Sequence, residues 1–272
     1  MKNRNSTILL FIIFLTGLSL LLYPTASDWW NSFHQSRAIA SYAQQVAELD
    51  NTAYRQAWAD AQSYNAQLPQ DSARFHPTEE DTARYQSLLN ITGSGIMGYI
   101  EIPSIRVSLP IYHGVEDTVL QIAVGHIEGS SLPVGGADSH CVVSGHRGLP
   151  SAKLFTNLDQ LAEGDVFLLR VLDEVLTYQV DQIHIVEPDD VSLLEIEQGK
   201  DLCTLVTCTP YGVNSHRLLV RGHRIENQAD ASSIRVTADA MQIEPVLVAP
   251  AVAAPMLLLL FIWLLFSTRK PK

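Results

Sequence analysis

Cysteine is scarce in this chain, with three in 272 residues. That is too few for the paired framework that staples small secreted domains. The spacing of Cys203 and Cys208 lacks the matching second pair that a structural zinc site needs. There is no phosphate-binding loop and no dinucleotide-type glycine pattern, so no nucleotide cofactor is implied. Basic residues are outnumbered, 18 Lys and Arg against 29 Asp and Glu, for a net charge of −11. An acidic surface repels nucleic acid and favours solubility. Internal repeats and low-complexity tracts are missing too. Asp189 and Asp190 with Glu187 are the nearest thing to a calcium cluster, and they read better as a solvated turn.

Hydrophobic residues make up 47% of the chain, and they are unevenly spread. Residues 8–22 are almost unbroken apolar sequence behind Lys2 and Arg4. Residues 246–266, 21 in all, form a second apolar run followed by Arg269, Lys270 and Lys272. The second is long enough to span a bilayer. The first reaches that length if Thr7 and residues 23–26 extend it. A cleaved signal peptide is the alternative for the first run, but Tyr23-Pro24-Thr25-Ala26-Ser27 is a middling cleavage site. Basic residues at both outer ends place both termini in the cytoplasm and everything between them outside.

Between the runs, residues 31–68 are rich in Ala and Gln. Tyr42, Val46 and Leu49, then Trp58, Ala61 and Tyr64, recur at helical spacing and predict one or two amphipathic helices. From residue 96 the pattern changes. Strand-like runs at 97–102, 109–112, 141–144, 166–172, 175–185, 202–208 and 218–221 alternate with turns, which predicts an all-β barrel. Residues 119–124, 152–158 and 191–196 read as short helices or turns.

The stretch Thr204-Leu205-Val206-Thr207-Cys208-Thr209-Pro210-Tyr211-Gly212-Val213-Asn214-Ser215-His216-Arg217 reads as strand, turn, strand. Its first residues are β-branched and apolar, and Pro210, Gly212 and Asn214 supply turn chemistry. Cys208 sits where a strand ends and a loop begins. If the strands pair antiparallel about the centre of the loop, Cys208 faces Arg217. The same register puts Arg221 opposite Thr204 and Arg224 opposite Asp201, so only Arg217 lands beside the thiol. A cysteine attacks as its thiolate and needs a neighbouring cation or base. His146, in Val142-Val143-Ser144-Gly145-His146-Arg147-Gly148, also leaves an apolar strand for a glycine-containing loop. It is the candidate acid and base. The other histidines, His126 among them, read as structural. Cys141 and Cys203 lie in apolar runs and read as buried small side chains.

The Thr-Leu-Val-Thr-Cys run at 204–208, with His upstream and Arg shortly downstream, resembles the sortases, transpeptidases of Gram-positive cell surfaces. The resemblance covers residues 95–224. The run Ile96-Met97-Gly98-Tyr99-Ile100-Glu101-Ile102-Pro103 is similar to the start of the sortase barrel. Three further stretches resemble class C, the pilin-polymerising class. They are Gly125-His126-Ile127-Glu128-Gly129-Ser130-Ser131-Leu132-Pro133-Val134-Gly135-Gly136, then 146–155, then 208–214. The resemblance puts the family's catalytic His on His146, its Cys on Cys208 and its Arg on Arg217. It also implies that the strands carrying Cys141 and Cys203 are parallel neighbours, which would set those thiols side by side.

The fold so implied is an all-β, eight-stranded sortase-like barrel with short helices, preceded by N-terminal helices and flanked by two membrane spans. Residues 1–26 would be the N-terminal anchor, 27–69 a helical stalk and 70–95 a lid-like segment. Residues 96–225 would be the catalytic barrel, 226–245 a linker, 246–266 the second span and 267–272 a basic tail. The implied activity cleaves a Leu-Pro-x-Thr-Gly-like sorting signal between Thr and Gly, in a pilin or other surface protein. It then joins the Thr carbonyl to a Lys amine of another pilin subunit. The alternative is anchoring of surface proteins to a peptidoglycan precursor. No metal and no cofactor is called for. Class C lids usually carry an Asp-Pro-aromatic anchor, and none stands here. Phe75, His76 and Pro77 are the nearest candidates. With few large apolar residues in 70–90, the segment is expected to open readily, held chiefly by Phe75 and His76.

Overall fold

The computed structural model describes residues 2–227. The second apolar run, the tail and nearly all of the linker lie outside the described residues. Helix α1 runs from Lys2 to Ala47 and passes through Pro24. It is the one helix among the described residues long and apolar enough to cross a membrane. A compact unit begins at Ser27. Helix α2 spans Asn51–Gln67, with the Asp50 carboxylate accepting from the amides of Thr52 and Ala53 at its start. Those two bonds satisfy two of the amides a helix leaves unpaired at its N-terminus. Helix α3, Glu79–Ser87, begins with a reciprocal capping box between Thr78 and Asp81.

Eight strands follow: β1 Ile96–Ile102, β2 Val107–His113, β3 Val124–His126, β4 Ser139–Gly145, β5 Val166–Val171, β6 Glu174–Val186, β7 Asp201–Thr209 and β8 His216–Ile225. They close into a barrel in the order β1-β2-β3-β4-β7-β8-β6-β5. The β2–β3 and β4–β7 pairs are parallel and the other pairs are antiparallel. Closure leaves no free sheet edge. The seven expected strands form within a residue or two of their expected bounds, except that β8 runs longer at both ends. The missed one is β3, three residues with a glycine at its centre. The short helix or turn expected at 119–124 is a single helical turn, α4 Asp117–Leu120, which feeds β3.

Side chains alternate along the central strands. One set, including Cys141, Val143, Cys203, Leu205 and Val220, joins the main core with Ile100, Phe167, Leu169 and Tyr178. The other set, Val142, Val206 and Leu219, forms a second, smaller cluster with Leu194. The stretch at 27–69 is not a free stalk. Tyr42, Val46 and Ala61 are buried in the main core. The Tyr42 hydroxyl donates to the Met97 carbonyl at 3.0 Å and accepts from the Leu172 amide at 2.8 Å.

Candidate active site

The pairing of β7 with β8 sets Cys208 directly opposite Arg217 and Thr204 opposite Arg221. That is the register the loop-centred symmetry predicts. On the other side of β7, β4 pairs in parallel, with Ser144 beside Val206. Carried two residues further, just past the end of β4, the same register brings His146 to the level of Cys208. The three residues therefore form one row across β4, β7 and β8, each half-buried at the barrel rim. The row lies on the strand face that carries Val206 and the smaller cluster, since side chains two apart share a face.

Several contacts that sequence did not single out fix this row. The buried Thr207 hydroxyl donates to the Gly145 carbonyl at 2.7 Å, tying the residue before Cys208 to the residue before His146. The Phe155 amide donates to the His146 carbonyl at 3.1 Å. Gly145 has no side chain because the Phe155 ring occupies its place: a Cβ there would lie 2.7 Å from Phe155 Cδ2. Arg147 reaches across the row, donating to Thr209 Oγ1 at 3.4 Å and lying 6.0 Å from the Tyr211 ring. The Arg217 guanidinium donates to the carbonyls of Asn214 and His216, so it stays beside the loop that follows Cys208.

The remaining cationic candidates are engaged elsewhere. Arg221 donates to both Asp181 oxygens, at 3.1 and 2.9 Å, and to Glu197 at 2.7 Å. His126 is buried and bonded to the Tyr85 hydroxyl and the Ser131 carbonyl. Cys141 and Cys203 are direct partners across β4 and β7, and both are free, buried thiols. Burial pushes the Cys203 thiol well above its ordinary value, and Cys141 alongside adds to the rise. Burial raises Cys141 too, but its bonds to Cys203 and His126 outweigh that and hold it below its ordinary value; both thiols are nonetheless sealed in the core, away from any substrate. Among the described residues no cluster of His, Cys, Asp or Glu is arranged to hold a metal.

Residues 70–90 touch both clusters. Phe75 packs into the smaller one with Ile127 and Val186, and Val186 is the β6 partner of Arg217. His76 and Pro77 are exposed, so of the three expected lid residues only Phe75 packs into this cluster. The main anchor is Arg74, which sequence did not suggest. It is buried and donates to the carbonyls of Gly129 at 2.9 Å and Leu194 at 3.2 Å, and to Glu195 Oε2 at 3.2 Å. Its guanidinium lies 4.2 Å from the centre of the Phe75 ring. Tyr85 and Leu89 are buried in the main core. The segment is thus more firmly docked than its composition suggested.

A half-buried cysteine with a histidine and an arginine near it, at the rim of a closed eight-stranded barrel, is an arrangement that can carry acyl transfer through a cysteine. The chain belongs to the sortase family, and within it to class C. A sortase-domain family profile matches residues 100–225. The crystal structure of sortase C1 from Streptococcus agalactiae is 50% identical, with a TM-score of 0.68, over 71% of this chain and 100% of that one. The crystal structure of Streptococcus pneumoniae sortase C, described as bearing on pilin substrate specificity, is 44% identical with a TM-score of 0.62. That match covers 70% of this chain and 97% of that one. Sortase D of Bacillus subtilis is 29% identical over 163 residues, 59% of this chain and 79% of the relative. The enzyme is a cysteine transpeptidase.

Proposed function

We propose that the chain polymerises pilins through the row Cys208, His146 and Arg217. The observation that carries this is the register pairing Cys208 with Arg217 while β4 delivers His146 to the same level. The Cys208 thiolate attacks the Thr carbonyl carbon of a Leu-Pro-x-Thr-Gly-like signal. Arg217 donates to the oxyanion that develops, a contribution that grows as charge builds in the transition state. As the intermediate collapses, the Thr–Gly bond breaks and His146 gives its proton to the departing Gly amine. A thioester remains on Cys208. The ε-amine of a pilin Lys then attacks it, His146 takes the amine's proton, and an isopeptide bond forms as the thiolate leaves.

In this reading residues 70–90 are a lid, with Phe75 in the groove that the signal would occupy and Arg74 as its latch. The catalytic unit is extracellular. α1 and the run at 246–266 are membrane spans, and both termini are cytoplasmic. Two anchors would hold enzyme and membrane-bound pilins in one plane, which raises their effective concentration.

Purified pilin subunits incubated with the enzyme test the reading. Covalent ladders, lost with Cys208→Ala and containing a Thr–Lys cross-linked peptide, are the expected result. Subunits joined only to a wall-precursor amine would make the enzyme an anchoring sortase.

A further inference from the structure

Two tryptophans and a phenylalanine lie bare on α1 just past its apolar stretch. Trp29, Trp30 and Phe33 are 54%, 58% and 48% exposed. They cannot pack on the barrel, because the barrel takes the opposite side of this helix. Asp28 accepts from the Lys153 amide at 2.7 Å, Asn31 donates to the Ser151 carbonyl at 2.8 Å and Gln35 donates to the Ile122 carbonyl at 2.6 Å. Tyr42 continues that face into the core. Those positions recur at three- and four-residue steps, the spacing of one helix face. Trp29, Trp30, Phe33 and Arg37 fall on the other. Trp29 stacks with Phe33 at 6.3 Å, and the Arg37 guanidinium lies 5.7 Å from the Phe33 ring centre.

We propose that this face is an interfacial seat, filled by the headgroup layer of the bilayer that α1 enters. The inference rests on the anchored reading above. Chain continuity selects the lipid. Trp29 follows Ala26 by three residues, so it lies within one helical turn of the chain's exit from the apolar stretch. Amphipathic aromatic rings favour that depth, where the ring is shielded and the indole N–H stays wet.

The consequence concerns the active site. Ser151 and Lys153 belong to the loop that follows His146, and α1 holds that loop at Asp28 and Asn31. Seating the aromatics therefore fixes the height of the His146 loop close to the membrane plane. A substrate whose sorting signal emerges from the same bilayer meets the site there, whereas a soluble peptide gains nothing from the seat.

The test uses the full chain in phospholipid vesicles. Replacing Trp58 and Trp263 by Phe leaves Trp29 and Trp30 as the only indole reporters. Lipids brominated near the carbonyls should quench them more than lipids brominated at mid-chain, and aqueous iodide should quench them weakly. Strong iodide quenching with no lipid quenching, in a chain that still floats with the vesicles, overturns the seat. A chain that does not float overturns the anchored reading itself. Shielding that depends on protein concentration and not on brominated lipid assigns the face to a second copy of the chain and also overturns the seat. In the triple variant Trp29→Ser, Trp30→Ser, Phe33→Ser, transfer to a vesicle-anchored substrate should fall while transfer of a soluble signal peptide is unchanged. Equal loss on both substrates, or none on either, counts against a role in setting height.

Discussion

Cys208 and Arg217 face each other because two strands of fixed register flank a short loop, and that pairing was readable from the sequence. The symmetry of the loop distinguishes Arg217 from Arg221 in the sequence, and the structure gives a reason for the difference. Arg221 is occupied by Asp181 and Glu197, whereas Arg217, among the described residues, bonds to carbonyls of its own loop and strand. We expect Cys208→Ala and His146→Ala to abolish transfer. Arg217→Ala should lower kcat by about 10²–10³-fold, the usual cost of one oxyanion donor. Arg221→Ala should keep most of its activity but unfold about 1–3 kcal/mol more easily, since it leaves two carboxylates without their cation. Steady-state transfer and denaturant titration of the same variants separate the two effects. Activity lost in Arg221→Ala with its fold intact would reverse the assignment. Thr207 was not legible as a positioning residue. Its bond to the Gly145 carbonyl joins strands 62 residues apart, and nothing local marks it.

Residues 70–90, the proposed lid, are where local reading stopped short. Strands announce themselves through alternating apolar residues, so seven of the eight could be placed from the sequence. Only β3 escaped, because three residues are too few to show a period. An arginine in a polar stretch reads as surface, and Arg74 becomes a latch only through carbonyls at Gly129 and Leu194, distant in sequence. Hydrogen bonds from a charged donor contribute about 1.5–3 kcal/mol each, and a shift of about 1.4 kcal/mol changes an opening equilibrium tenfold. Arg74→Ala should therefore speed thiol labelling of Cys208 by about tenfold or more, and Phe75→Ala by less. Gly129→Ala should act like Arg74→Ala for a different reason. Gly129 has φ +87, and a Cβ there would lie 2.1 Å from the Arg74 carbonyl oxygen, so the segment must lift. Labelling rates under pseudo-first-order reagent check all three. Equal rates in wild type and Arg74→Ala would return the latch to Phe75 alone.

At the scale of the whole molecule, His140 links strand pairing to acid stability. It is buried on β4, with Nδ1 2.8 Å from the Glu195 carbonyl and Nε2 2.8 Å from the Thr204 hydroxyl on β7. A carbonyl can only accept, so Nδ1 is assigned the proton and Nε2 accepts from Thr204. The neutral ring is then fully satisfied. Protonation would charge a buried group, turn the Thr204 bond around and add a cation near Arg221 and Arg74. Burial first, and those arginines after it, hold His140 below the ordinary histidine value, against the opposing pull of the Glu195 carbonyl and Glu197. The unfolded chain, with a histidine pKa of about 6.5, binds more protons than the folded one just below that pH. Stability therefore rises with pH in this window. The contribution is complete above about 6.5 and is lost as pH falls from there towards the folded value. His113, also buried and shifted down by burial, adds a second slope of the same sign. The melting temperature should drop between about pH 6.5 and 5, above the range where most carboxylates titrate. His140→Gln keeps a donor and an acceptor without a titrating ring, so it should flatten part of that slope while His113 keeps the rest. Melting curves of both proteins across the window measure it, and parallel slopes would show that His140 is not the group responsible.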